Sequence, residues 1–205
     1  MLRVSVTLFL ILVSTLSLRA ETITLLALGD SLTAGYGLDP TQSFPVKLEA
    51  ALKAKGRDVV VVNAGVSGDT TAQGAARLDW SLTDDVDAVL VELGANDALR
   101  GLPVAQAETA LDEILTKLKV KNLPTLVLGM RAPPNLGPDY GSAFETIYPK
   151  ISQKHGASLY PFFLEGVAAD ASLNQADGIH PNAKGVDEIV RRVLPDVEAL
   201  LARVK

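Results

Sequence analysis

The sequence predicts an α/β protein in which a parallel sheet is sandwiched between two helical layers, the three-layer α/β/α arrangement. Three observations predict it. Five short apolar runs alternate with stretches of helical spacing, the runs are apolar at successive positions rather than at every second one, and most end in loops rich in glycine, asparagine or aspartate. Continuous hydrophobicity marks strands covered on both faces, and β-α alternation gives parallel pairing.

In chain order, Ile23 to Leu28 is the first expected strand, and Gly29-Asp30-Ser31-Leu32 follows it directly. Phe44 to Lys55 has helical spacing, and Val59 to Val62 is the second strand, leading into Gly65-Val66-Ser67-Gly68-Asp69. A helix over Thr70 to Trp80 precedes the third strand, Ala88 to Leu93, whose end carries Gly94-Ala95-Asn96-Asp97. Val104 to Val120 places Ala107, Leu111, Ile114, Leu115 and Leu118 on one helical face. The fourth strand is Thr125 to Leu128, and the Pro/Gly-rich stretch from Arg131 to Tyr140 behind it is expected to be a loop. Gly141 to His155, Ser158 to Phe163 and Ala183 to Val204 complete the pattern as helix, strand and helix. With 205 residues and no internal repeat, the chain from residue 21 to residue 205 is expected to be one domain.

Residues 1–20 stand apart. Arg3 is followed by an apolar run from Val4 to Val13, and Leu18-Arg19-Ala20 suits a cleavage site, so the segment is expected to be a secretory signal peptide and the mature protein periplasmic or secreted. The whole chain has a formal net charge of −5, and removing Arg3 and Arg19 makes it more acidic, so nucleic acid is not expected as a partner. Cys is absent, which excludes disulfides and thiolate metal sites. Asp69, Asp97 and Glu92 near one histidine do not form a metal-ligand set, and are expected to cap helices or pair with Arg77, Arg100 or Arg131.

The chemistry lies in where particular residues fall relative to the strands. Ser31, Gly68, Asn96 and the Asp177-Gly178-Ile179-His180 segment follow the first, second, third and fifth strands, so all meet on one rim, where open parallel sheets bind ligands. A serine hydroxyl becomes nucleophilic when an imidazole takes its proton and a carboxylate orients that imidazole. Of the two histidines, only His180 has a carboxylate three residues before it. His155, in Lys154-His155-Gly156, reads instead as ordinary helix termination. Acyl transfer also needs donors for a developing oxyanion, and the Gly68 N–H and the Asn96 amide suit that task. Taken singly, Asp30 or Ser31 could cap a helix, Asn96-Asp97 could form an Asx turn, and Gly68 could serve only its backbone conformation. The proline-rich loop, with Ala132, Pro133, Pro134, Leu136 and Tyr140, is expected to wall the substrate site.

Gly29-Asp30-Ser31-Leu32, Gly68, Gly94-Ala95-Asn96-Asp97 and Asp177-x-x-His180-Pro181 together resemble the GDSL, or SGNH, hydrolases, in order and over nearly all of the chain after residue 20. Asn63 to Thr70, Val91 to Asp97 and Ile147 to Lys150 are similar to its bacterial periplasmic branch of acyl-CoA thioesterase I, lysophospholipase and arylesterase type. The resemblance implies a flavodoxin-like sheet of strand order 2-1-3-4-5. It also implies Ser31 as nucleophile, His180 as general base, Asp177 as its orienting partner, and an oxyanion hole of the Ser31 N–H, the Gly68 N–H and the Asn96 amide. The expected substrates are small acyl esters and thioesters, including lysophospholipids reached by transient contact with membrane lipids, hydrolysed by a monomer.

Two other functions compete. A carbohydrate O-acetylesterase would use the same catalytic blocks. A non-catalytic flavodoxin-like module would need a phosphate-cradling loop, but Gly29 to Gly35 matches neither the Walker nor the dinucleotide pattern, and no cofactor is expected.

Overall fold

The computed structural model describes residues 22–204, so the expected signal peptide lies outside the described residues. Five parallel strands, β1 (Ile23–Gly29), β2 (Val59–Gly65), β3 (Ala88–Glu92), β4 (Thr125–Leu128) and β5 (Ser158–Tyr160), form one sheet in the order β2-β1-β3-β4-β5. Helices α2 (Phe44–Ala54) and α7 (Ala183–Leu201) pack against each other, while α3 (Thr71–Ser81), α5 (Val104–Val120) and α6 (Pro138–His155) form a second packed series. Two short helices, α1 (Ser31–Ala34) and α4 (Ala95–Leu99), begin within two or three residues of the ends of β1 and β3. The expected three-layer sandwich and strand order are both present.

The central strands are apolar at most positions because both of their faces are covered. Leu25, Leu26, Leu28, Val89, Leu90, Leu126, Val127 and Leu128 have no exposed surface. β2 departs from that expectation: Val60 and Val62 are 42% and 39% exposed while Val59 and Val61 are buried. It is an edge strand covered on one face, and its valines reflect strand propensity as much as burial. The Glu49 side chain accepts the Val61 N–H at 2.8 Å, occupying a donor on a strand that could otherwise recruit another chain.

Helix boundaries follow local chemistry. Thr70 accepts the Gln73 N–H while the Gln73 side chain accepts the Thr70 N–H, a capping box that starts α3 at Thr71. α6 begins at Pro138, three residues before the helical spacing suggests, since proline is well suited to a first helical turn. The expected loop before it is therefore shorter and contains a 3₁₀ turn at Pro134–Leu136. β5 ends at Tyr160 rather than Phe163, because Pro161 has no N–H to offer a ladder.

The chain runs from β1 to β2 on one side and then to β3 on the other. The reversal opens a crevice at the carboxyl ends of β1 and β3, where Gly29 lies opposite both Gly65 and Glu92. Ser31 and Asn96 emerge at this crevice.

Candidate active site

Asp30 caps α1 through a 3.0 Å bond from the Leu32 N–H to its Oδ1, which fixes Ser31 as the first residue of that helix. Asp30 is therefore the cap, and Ser31 is left with its side chain free for other contacts. The Ser31 Oγ lies 3.0 Å from His180 Nε2, and His180 Nδ1 lies 2.7 Å from Asp177 Oδ2. The other Asp177 oxygen accepts the N–H groups of Ile179 and His180, both at 3.0 Å. These bonds close a turn in which Gly178 has φ +73°, and they aim the carboxylate at the imidazole three residues later.

The hydrogen bond with the His180 ring, reinforced by the His180 and Ile179 N–H groups, holds the Asp177 carboxyl down to about 2. An ionised carboxylate can only accept, so His180 Nδ1 is the donor and Nε2 is left free to accept the Ser31 hydroxyl proton. Three residues separated by up to 149 positions thereby form one directed hydrogen-bond chain.

Gly68 has φ +90°, and the nearest atom to a β-carbon built there is Arg100 Nη2 at 3.7 Å. Space is available, so the backbone conformation is what calls for glycine. Arg100 Nη2 donates to the Gly68 carbonyl at 2.7 Å. Neither the Ser31 N–H nor the Gly68 N–H is taken by a carbonyl or side chain among the described residues. Asn96 is half-buried, and its Nδ2 donates to Asp30 Oδ2 at 3.1 Å and to the Asp69 carbonyl at 3.0 Å. It is held by contacts with two other blocks, not by an Asx turn. Before it, Gly94 has φ +121° in a position where a β-carbon would collide with the Tyr148 hydroxyl.

The nearby acids have separate tasks. Asp69 pairs with Arg77 Nε at 2.6 Å, and the same guanidinium donates to the Ala64 and Gly29 carbonyls, tying the ends of β1 and β2 together. Asp97 accepts the N–H and hydroxyl of Thr71 at the start of α3. Glu92 neither caps a helix nor pairs with an arginine, contrary to expectation. It accepts the Thr33 hydroxyl at 2.7 Å and the Asp30 N–H at 3.3 Å beneath the crevice. His155 lies away from Ser31, with Nε2 2.7 Å from Asp112.

A groove of about 380 Å³ opens beside Ser31, Asn96 and His180. Ala132, Pro133 and Pro134 line it as the sequence suggests. Leu136 and Tyr140 do not. The 3₁₀ turn carries Leu136 toward Gly101, and Tyr140 donates to the Leu102 carbonyl and stacks on Phe144. Much of the remaining wall comes from residues with no motif, among them Met130, Phe162, Leu164, Ala168 and Ala169. Phe162 was hidden in an apolar run that reads as strand, and two alanines carry no chemical signal. Arg131 lies over the Phe162 ring, 4.6 Å from its centroid, so its stem and plane extend the wall while its charge faces Glu145 and Glu165.

Tyr36 and Gln175 were also silent in the sequence. The Tyr36 ring lies 4.5 Å from the His180 ring, and Gln175 Nε2 donates to the carbonyls of Tyr36 and Pro181. Gln175 therefore joins the loop after α1 to the turn that carries the imidazole.

The chain is similar to known proteins over most of its length. Residues 27–187 match the model of the GDSL-like lipase/acylhydrolase family. Esterase TesA of Pseudomonas aeruginosa is 41% identical over 187 residues, covering 91% of this chain and 93% of its own length. Thioesterase 1/protease 1/lysophospholipase L1 of Escherichia coli K12 is 43% identical over 176 residues, covering 85% and 82%. The crystal structure of AlinE4, an SGNH-hydrolase family esterase, superposes with a TM-score of 0.74 at 48% identity, covering 88% of this chain and 97% of that one. The chain belongs to the GDSL-like lipase/acylhydrolase family.

Proposed function

We propose that the protein hydrolyses carboxylic esters and acyl thioesters through an acyl-enzyme on Ser31. The observation that carries the reading is the directed chain Ser31–His180–Asp177 opening onto an apolar groove. His180 Nε2 takes the hydroxyl proton as Ser31 Oγ attacks the acyl carbon, and Asp177 stabilises the imidazolium that forms. The Ser31 and Gly68 N–H groups receive the oxyanion. Asn96 joins them by sharing one of its two amide hydrogens, both of which are engaged in the resting site. The imidazolium then returns its proton to the departing alcohol or thiol. Water, activated by the same imidazole, cleaves the acyl-enzyme and restores the serine.

The groove's apolar walls favour a medium-length acyl chain over acetate, which supports esterase and thioesterase substrates over a carbohydrate O-acetylesterase. Aryl esters, acyl thioesters and lysophospholipids share that acyl part, and the last would bring the enzyme into transient contact with membrane lipids. All the groups used lie in one chain, which supports action as a monomer without cofactor. The apolar run within residues 1–20 supports export to the periplasm or beyond. Among the described residues, no helix is long and apolar enough to cross a membrane.

The test is covalent trapping with a fluorophosphonate followed by peptide mass spectrometry, alongside turnover of p-nitrophenyl esters and acyl-CoAs of increasing chain length. Label on Ser31 and rates that rise with chain length are expected. Label elsewhere, or activity confined to acetyl esters, would overturn the reading.

A further inference from the structure

Two carboxyl groups are buried together under the crevice. Asp30 is fully buried and Glu92 is 1% exposed. Glu92 Oε2 accepts the Thr33 hydroxyl and the Asp30 N–H, while Glu92 Oε1 is buried with no donor among the described residues. Asp30 has both oxygens occupied: Oδ1 accepts the Leu32 N–H and Oδ2 accepts the Asn96 amide, while its own N–H reaches the Glu92 carboxyl at 3.3 Å. No cation pairs with either group among the described residues, and Arg77, which reaches the neighbouring Gly29 carbonyl, is committed to Asp69, Ala64 and Gly29.

Two adjacent carboxylates cannot both be ionised in a dry site without a cation. The donor pattern decides which one keeps the proton. The orphaned Glu92 Oε1 is satisfied once it carries a hydrogen, and the Asp30 oxygens, already aimed at donors, are the natural acceptors.

We propose that Glu92 is a positioning residue: as the neutral acid it donates the hydrogen on Oε1 to the Asp30 carboxylate, and so keeps Asp30 aimed at the Asn96 amide. The inference rests on the reading of Asn96 as an oxyanion donor. It extends that reading one layer inward, because the amide that meets the oxyanion is oriented by Asp30, and Asp30 by a protonated Glu92. Desolvation raises both groups, Asp30 to about 6 and Glu92 well above its usual range, where the nearby Asp30 charge adds to it, so the proton rests on Glu92. The other titratable or charged groups around the pair are His180, Asp97 on α4, the buried Tyr148 on α6 and Arg77 on α3; His180 favours the ionised form of Asp30.

The test reads the proton and the positioning separately. Infrared difference spectra of the full chain at neutral pH should show the carbonyl stretch of a buried, protonated carboxyl that disappears in Glu92→Gln. In kinetics on a short aryl ester, Glu92→Ala should lower kcat about ten- to hundredfold, up to the loss of one oxyanion donor, with KM changed less than about twofold. Glu92→Gln should recover to within about threefold of wild type, because its amide can donate to Asp30 and accept from Thr33 as the neutral acid does. Absence of the protonated-carboxyl band, or a Gln variant no better than Ala, overturns the proposal. A Gln variant that fails to fold overturns it as well, since the amide satisfies the same partners. Failure of the Ser31 reading is seen independently, as hydrolysis that survives in Ser31→Ala while the infrared band remains.

Discussion

The Tyr36 ring rests against the His180 imidazole at 4.5 Å between centroids and a tilt of 36°, and Tyr36 is itself 53% exposed. The imidazole is thus held at one nitrogen by Asp177, at the other by Ser31, and on a face by an aromatic ring. Aromatic pairs of this kind contribute about 0.5–1.5 kcal/mol beyond their burial. Tyr36→Ala should therefore lower kcat roughly two- to tenfold with little change in Tm, whereas Tyr36→Phe, which keeps the ring, should stay near wild type. Equal losses in the two variants would show that the hydroxyl, not the stacking, matters.

The 3.0 Å contact between Ser31 and His180 implies, under the proposed mechanism, that the two act as one unit. Ser31→Ala and His180→Ala should each reduce kcat about 10⁴-fold or more, and the double variant should be little worse than either. Steady-state kinetics on protein free of host esterase checks this, and multiplicative losses in the double variant would argue that the two act independently.

Asn96 presents a sharper case, since its amide is engaged with both Asp30 and Asp69. Asn96→Ala should cost about a hundredfold in kcat with a much smaller effect on KM. If instead Tm collapsed while the folded fraction remained fully active, Asn96 would be a structural link between blocks and nothing more.

Ser31, Gly68 and Asn96 were legible as candidates because each closely follows a strand end, and a parallel sheet brings strand ends to one rim. The sequence could not reveal Tyr36 and Gln175, whose 139-residue separation is bridged only after β1 and the segment following β5 are placed. Glu92 was visible as a rim carboxylate but misread, because its partners Thr33 and Asp30 lie in another block and no spacing rule joins them. The groove wall was half legible. Prolines mark a loop at 131–140, but they do not say that the 3₁₀ turn takes Leu136 and Tyr140 away from the groove, nor that β5 stops at Pro161 and frees Phe162 to line it.

Burial of Glu92 has a pH signature in stability. Its carboxyl is raised well above the usual 4.5 in the folded protein, so above that pH the unfolded chain holds fewer protons than the native state and unfolding is favoured as pH rises. Glu92→Gln removes this dependence. The Tm of Glu92→Gln relative to wild type should therefore climb as pH is raised from about 4.5 through neutrality. Asp177 has the opposite sign: lowered to about 2, it contributes stability that persists until pH falls through its folded value. Calorimetric scans across pH test both, and a flat difference between Glu92→Gln and wild type would mean that Glu92 is ionised in the native state.

Acyl preference should be set by the wall formed after β4 and β5 and not by Leu136. Each methylene buried in the groove adds at most about 0.8 kcal/mol, so kcat/KM should rise up to a few-fold per carbon until the groove is filled. Phe162 and Leu164 line that path, so Leu164→Ser should flatten the rise, and Phe162→Ser should do so while also removing the face on which Arg131 rests. Turnover of acetyl esters, which do not reach these side chains, should fall far less in both variants. Leu136→Ser is the internal control: its side chain lies by Gly101, outside the groove, and the chain-length slope should be unchanged. A series of p-nitrophenyl esters from acetyl to dodecanoyl measured on the three variants decides the matter. If Leu136→Ser flattened the slope and Leu164→Ser did not, the acyl chain would lie along the proline-rich loop, and the groove between Met130 and Ala169 would have to serve another part of the substrate.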